Sequence, residues 1–279
     1  MDNDAADSLE INIRKVISDR MGKRARYVPD FLIRWLERTV HQDEINNFLR
    51  KGYVGVDFCE ECIKELGAVV TSEGIDHLPT DERRFTFVCN HPLGAVDGIA
   101  LGALLGRKYD GKIRYLVNDL LMNLKGLAPL CIPINKLGKQ SRNLPRQISE
   151  AFGSDNQIIM FPAGLCSRRI NGEIHDIPWG KAFVTRSIKS HRDVVPVRFI
   201  GQNSPRFYRI ATWCKRLRLK FNIAMLFLPD EMFRTRGQHY HVVFGQPIPW
   251  QTFDSSRKPS EWALWVEEQV YKMQSTETI

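Results

Sequence analysis

Long apolar runs are missing from this 279-residue sequence. The longest stretch without Lys, Arg, Asp or Glu runs from Gly237 to Phe253, and it holds two histidines, three glutamines and two prolines. A membrane span needs about 20 mostly apolar residues, so the chain is expected to be soluble or held at a membrane surface. The acidic start, MDNDAADSLEIN, has no apolar h-region, and no secretory leader is expected. Glycine and proline are scattered, which leaves no linker, no low-complexity tract and no internal repeat. The histidines lack metal-ligand spacing. His239 and His241 alternate along an apolar run, where an exposed strand face is expected, and no metal is implied.

Cysteine is also scarce, with six in the chain, and only Cys59 and Cys62 lie close together. A lone C-x-x-C is half a zinc site or a redox pair. Here Phe58, Cys59, Cys62, Ile63 and Leu66 share one helical stripe that Gly67 can end, so buried thiols are the preferred reading. With no leader, a reduced cytoplasmic protein is the simpler expectation.

The chain carries a net charge of +8, and 43% of its residues are hydrophobic, enough for a sizeable core. The charge is uneven. From Lys181 to Lys220 there are eleven Lys and Arg and one acid, Asp193. Such a patch suits nucleic acid, anionic lipid headgroups or an acidic carrier protein. Within it, RFYRIATWCKRLRLKF (206–221) interleaves aromatics with cations.

Residues up to about 70 read as helices. Val28, Phe31, Leu32, Trp35, Leu36 and Val40 make one stripe, to be packed on the protein or laid in a membrane interface. From residue 84 the pattern becomes short apolar runs alternating with helical stretches. Strands are expected at 85–90, 113–118, 130–135, 157–162, 194–200, 222–228 and 239–245. Helices are expected near 97–106, 142–153, 179–190, 205–217 and 259–273. The alternation predicts an α/β fold, a mixed, largely parallel sheet flanked by helices, with residues 1–70 as a helical extension and 71–279 as the main domain. Ligands of such sheets bind beyond the carboxyl ends of the strands. His91, Asn135 and the Pro162-Ala163-Gly164 segment all fall there.

In FVCNHPLGAVDGIALGALL a histidine ends an apolar run and Asp97 follows six residues later. On a straight helix the two would stand about 240° apart. They meet only if His91 stands in the loop and Asp97 in the first turns of the helix, a path that Pro92 and Gly94 permit. One reading is a general base with its orienting carboxylate. The other is a turn histidine and a capping aspartate. FPAGLCSRR (161–169) places small residues at a strand end, where backbone N–H groups can face an anion. IPINKLGKQSR (132–142) ends its strand in Asn135 and Lys136.

Together these segments resemble the glycerolipid acyltransferase family, the lysophosphatidic acid acyltransferase-like enzymes, over roughly residues 70–250. NHPLGAVD stands for the family's Asn-His-x4-Asp block, with five residues in the gap instead of four. CIPINK stands for a strand ending in arginine, FPAGLCSR for Phe-Pro-Glu-Gly-Thr-Arg-Ser, and VVPVRF for a Val-Pro strand. The variants look like a haemolysin-like bacterial subgroup and are similar to O-acyltransferases of ornithine and glycine lipids. The resemblance implies an O-acyltransferase that moves a fatty acyl group from acyl carrier protein or acyl-CoA, as co-substrate, to the hydroxyl of a lyso-lipid, with no other cofactor. His91 and Asp97 would be catalytic. Asn135, Lys136, Phe161, Pro162, Gly164, Ser167 and Arg168 would bind substrate. A carboxylate-bearing acceptor suits a site that has lost part of the phosphate apparatus. The enzyme would be peripheral on the inner face of the cell membrane, with acyl carrier protein and an anionic membrane surface as partners and no nucleic acid.

Three other readings compete. A nucleic-acid binder would use the same basic patch, without a recognisable binding motif. The His-His-x-x-x-Asp-Gly acyltransferases share the Asp-Gly but have a second histidine and a shorter gap. A hydrolase with Cys166 as nucleophile has no histidine near it in sequence.

Overall fold

Phe85, Phe87 and Cys89 alternate with Thr86 and Val88 along β2 (Phe85–Cys89), and all five are buried. A strand covered on both faces sits inside a sheet, and β2 does. The computed structural model describes residues 10–118, 121, 124–134, 144–170, 172–217 and 223–275. Around β2 lie β1 (Val69–Glu73), β3 (Ile113–Asn118), β4 (Cys131–Ile134), β5 (Gln157–Met160), β8 (Asp193–Ile200) and β9 (His239–Phe244). Their order across the sheet is β1-β9-β8-β2-β5-β3-β4. The five strands from β8 to β4 run parallel; β9 is antiparallel to β8 and parallel to β1. The fold is α/β, with a mixed, mostly parallel sheet.

The chain leaves β2 through α5 (Val96–Lys108), skips one place to β3, continues to β4, and returns through α6 (Leu144–Gly153) to β5 between β2 and β3. It then crosses β2 through α7 (Ala182–Ser190) to β8. The loops after β2 and β5 are therefore neighbours at the carboxyl edge, where a connection reverses direction.

Each face of the sheet has its own helical layer. Phe85, Phe87 and Cys89 pack with Leu101 and Leu105 of α5 and with Phe58, Cys59 and Cys62 of α4 (Gly55–Glu65). Val88, Ile158 and Val194 pack on the other side with Phe183 of α7 and with Trp262 and Val266 of α10 (Pro259–Lys272). The Cys59–Cys62 stripe is thus core, and burial pushes the Cys62 thiol up to about 12.

Ahead of α4 come α1 (Ile13–Met21), α2 (Asp30–Thr39) and α3 (Gln42–Leu49). The α2 stripe packs only in part: Ile33 and Val40 are buried, whereas Phe31, Leu32 and Trp35 are exposed. Among the described residues, no helix is long and apolar enough to cross a membrane.

The structure differs from the sequence reading at four places. The run expected as a strand at 222–228 is a 3-10 turn at Ile223–Phe227 leading into α9 (Leu228–Arg234). Pro229 suits that helix start, and Ala224 and Leu228 bury against Phe207 and Tyr208 of α8 (Pro205–Arg216) instead of entering the sheet. β1 was read as the end of the helical region. It is a short edge strand whose half-exposed pattern carries little periodicity. The hairpin of β6 (Arg168–Ile170) and β7 (Glu173–His175) was not anticipated, although Asn171-Gly172 is a turn signal. His241, expected on an exposed face, is buried, with Nδ1 2.7 Å from Thr71 Oγ1. β9 is an inner strand, paired with β8 on one side and with β1, which carries Thr71, on the other.

Arg192 joins the layers with no carboxylate bonded to it among the described residues. It is fully buried and donates to the carbonyls of Phe152 (2.8 Å), Asn156 (2.8 Å), Phe85 (3.3 Å), Ala151 (3.4 Å) and Ser154. Burial, with Arg84 nearby, lowers its guanidinium to about 10. Arg192→Met is expected to destabilise the fold by about 3 kcal/mol, because it strands buried carbonyls. A urea melt of the two proteins measures this.

Candidate active site

Asp97 places the site. It lies in the first turn of α5 with no exposed side-chain surface, and it accepts four hydrogen bonds. Oδ2 takes the N–H groups of Leu93 (3.0 Å) and Gly94 (3.1 Å) and Nδ1 of His91 (3.0 Å), while Oδ1 takes the N–H of Gly98 (2.9 Å). The residues between His91 and Asp97 thus wrap around the carboxylate, and a gap of five is accommodated. Gly94 makes the wrap possible: its φ is +80°, and a Cβ there would stand 2.9 Å from Cys166 Cβ and 2.9 Å from Leu228 Cδ1. Asn203 braces the loop from outside by donating to the carbonyls of Pro92 (3.1 Å) and Leu93 (3.3 Å). Asn90 bonds both ways with Phe199 of β8, which fixes the end of β2.

An ionised carboxylate only accepts, so the Nδ1 that bonds Asp97 carries the proton. Nε2 of the neutral ring is then left with a lone pair. Among the described residues no polar group bonds Nε2. The ring stacks on Phe161, with centroids 4.1 Å apart, and the side chain keeps 17% of its surface exposed. Burial disfavours the charged imidazole, but Asp97 more than offsets it. Asp176 adds to the rise and Arg168 opposes it, so His91 titrates above the ordinary histidine value. Burial likewise pushes Asp97 up, and it is outweighed by His91 and by the N–H groups of Leu93 and Gly94, so Asp97 titrates below the usual carboxylate range.

The loop after β5 supplies the second wall. Phe161 faces His91, and Gly180 N–H donates to the Pro162 carbonyl at 3.1 Å. The N–H of Gly164 closes a turn on Phe161 O (2.9 Å), and that of Ser167 donates to His91 O (2.8 Å). These two donors, expected to face an anion, therefore point into the protein. The Ser167 hydroxyl, expected as a headgroup contact, is buried and donates to Asp176 at 2.5 Å. Arg168 donates through Nη1 to Cys166 O (2.7 Å) and lies over the Phe207 ring at 5.6 Å. Its Nη2 is buried and has no partner among the described residues. Cys166 is 3% exposed with its thiol raised by burial, a poor environment for a nucleophile.

The structure thus brings His91, Asp97, Phe161, Pro162, Gly164, Ser167 and Arg168 to one edge. Asn135 and Lys136 lie outside the described residues. Sequence reasoning missed Asp176, Asn203 and Trp179, which reach the site only through tertiary contacts.

The profile of a family described as acyltransferase matches residues 15–277. The chain belongs to that family. Among its curated relatives, the lyso-glycine lipid O-acyltransferase of Phocaeicola vulgatus is 55% identical over 265 residues, covering 94% of this chain and 95% of the relative. The protein of the same name from Bacteroides thetaiotaomicron is 56% identical over 265 residues, covering 94% and 97%. The crystal structure of the 1-acyl-sn-glycerophosphate (LPA) acyltransferase PlsC from Thermotoga maritima is 15% identical, with a TM-score of 0.48. It covers 94% of this chain and 100% of that one.

Two outcomes follow for this acyltransferase. Gly94→Ala, which combines a left-handed backbone with two close contacts, is expected to cost about 1–3 kcal/mol in a denaturant melt. The depressed Asp97 contributes stability that is complete above the ordinary Asp value of about 4 and is lost as pH falls through its folded value. Melts of wild type and Asp97→Asn are therefore expected to converge on acidification.

Proposed function

We propose that this chain acylates the hydroxyl of a lyso-glycine lipid, taking a fatty acyl group from the thioester of acyl carrier protein or CoA. The observation that carries the reading is the His91 Nδ1–Asp97 Oδ2 bond at 3.0 Å, which leaves Nε2 as the basic atom of a partly exposed ring. His91 Nε2 takes the proton of the acceptor hydroxyl as its oxygen attacks the thioester carbonyl. The C–O bond forms, the C–S bond breaks, and the imidazolium returns its proton to the departing thiolate. Asp97 holds the ring tautomer and balances the imidazolium charge. The acceptor's carboxylate pairs with Arg168, whose buried Nη2 lacks a partner among the described residues. Phe161 and Pro162 line the approach to the reacting groups. The names of the relatives support glycine lipid as the acceptor class.

The enzyme works from a membrane surface without spanning it. Phe31 and Trp35 of α2 are 70% and 44% exposed, and Trp213 of α8 is 69% exposed beside the cations of that helix. The same basic helix offers a docking face to an acidic acyl carrier protein.

A mass-spectrometric transfer assay tests the reading. It offers acyl carrier protein and CoA thioesters against lyso-glycine lipid, mono-acylated ornithine lipid and lysophosphatidic acid. Acylated glycine lipid is the expected product, and His91→Ala is expected to reduce it on the order of 10³-fold while remaining folded. Arg168→Gln is expected to raise the acceptor KM more than it lowers kcat. A clear preference for lysophosphatidic acid overturns the acceptor assignment, and an active His91→Ala overturns the mechanism.

A further inference from the structure

A second buried carboxylate grips the main chain of His91. Asp176 follows β7, is 1% exposed, and accepts the His91 N–H on both oxygens, at 3.3 and 3.2 Å. Ser167 Oγ donates to Oδ1 at 2.5 Å and Trp179 Nε1 to Oδ2 at 3.0 Å. The N–H of Ser167 in turn donates to the His91 carbonyl at 2.8 Å. Both peptide groups flanking the His91 Cα are thereby pinned to the segment 167–179. Burial raises the Asp176 carboxyl above the ordinary Asp value, while the Ser167 hydroxyl, the Trp179 ring N–H and the His91 N–H pull it back by bonding the ionised form. No Lys or Arg among the described residues bonds it.

A clamp made only to stabilise a turn has no need of a charge. Neutral groups serve that purpose, as Asn203 shows by donating to the Pro92 and Leu93 carbonyls of the same loop. A buried anion without a cationic partner is costly, and such groups concentrate where a neighbouring charge develops during reaction. We propose that Asp176 is a positioning residue of the transfer reaction: through the His91 main chain it aims the imidazole, and its negative charge stabilises the imidazolium formed when the acceptor hydroxyl is deprotonated. The proposal rests on His91 acting as the base. It assigns Asp176 a part that neither the motif blocks nor the spacing of His91 and Asp97 contains.

The charged and titratable groups around the pair come from several elements. Asp97 belongs to α5, Arg168 to β6, Cys89 to β2, and Glu267 and Tyr271 to α10; Cys166 lies in the loop before β6. Of these, Asp97 raises His91 and Arg168 lowers it, while Asp176 adds to the rise. Removing the Asp176 charge therefore makes the imidazolium less stable. The base is then free at lower pH, and the acid limb of the kcat/KM profile moves toward acid.

The test uses the full chain and its Asp176→Asn variant, with a thioester donor and lyso-glycine lipid as acceptor, between about pH 5 and 9, spanning the range where histidine titrates. The expected result is a kcat lower on the order of 10²-fold from misplacement of the ring, with acceptor KM little changed. The acid limb, and the NMR titration of the His91 ring, are expected to move to lower pH. Wild-type kcat in the variant overturns the proposal. So does lost activity with the acid limb and ring titration unmoved, since that leaves only a structural role. Should Asp176→Asn not fold, Trp179→Phe removes one donor and keeps the charge; a fall in kcat at constant KM is expected, and an unchanged kcat overturns the proposal. The NMR titration separates this inference from the base assignment, because it reports the action of Asp176 on His91 even if His91→Ala proves active.

Discussion

A carboxylate with no exposed surface, bonded by no Lys or Arg among the described residues, governs the carboxyl edge of the sheet. Asp97 is tolerated there because three main-chain N–H groups and one imidazole surround it, at the start of a helix whose dipole favours negative charge. The loop follows from that demand. To deliver the N–H groups of Leu93 and Gly94, the chain must curl at Gly94, where Cys166 and Leu228 leave no room for a side chain. That curl turns the His91 ring onto Phe161, which β5 presents from the next place in the sheet.

The electrostatics of the edge follow from the same packing. Two buried carboxyl groups and one partly buried cation surround a single imidazole: Asp97 on its Nδ1, Asp176 under its main chain, and Arg168, which opposes both in its effect on the ring. In a low-dielectric setting such charges act strongly on a group that changes charge. In the proposed mechanism, a histidine held in this way takes and returns a proton without rearranging its surroundings, as acyl transfer to a hydroxyl demands. Outside the site, Phe31 and Trp35 of α2 and Trp213 of α8 remain exposed.

Much of this was legible in the order of residues. Runs covered on both faces, such as FTFVC and QIIM, announce inner strands because no charged residue interrupts them. The His91–Asp97 spacing announced a loop-to-helix pair. The failures share a cause: periodicity reports burial and does not report by what. IAMLF at 223–227 is apolar because it covers α8, and β1 is weakly patterned because it is an edge strand. His241 looked like half of an exposed alternation, yet β9 lies between β8 and β1, and His241 is buried beside Thr71 of β1. Asp176 lay among ordinary loop residues, 85 positions from His91, with no local signal to join them.

The sequence by itself determined the α/β alternation, the family motifs in their order, and the pairing of a loop histidine with a first-turn aspartate, because each depends on residues near one another along the chain. Only the tertiary structure decided which loops become neighbours. The return of the chain to place β5 beside β2 brings Phe161 to the His91 ring and sets Arg168 near it, and the crossing to β8 carries Asp176 beneath its main chain. Those contacts join segments far apart in sequence, and the two helical layers hold the strands that create them by packing on opposite faces of β2.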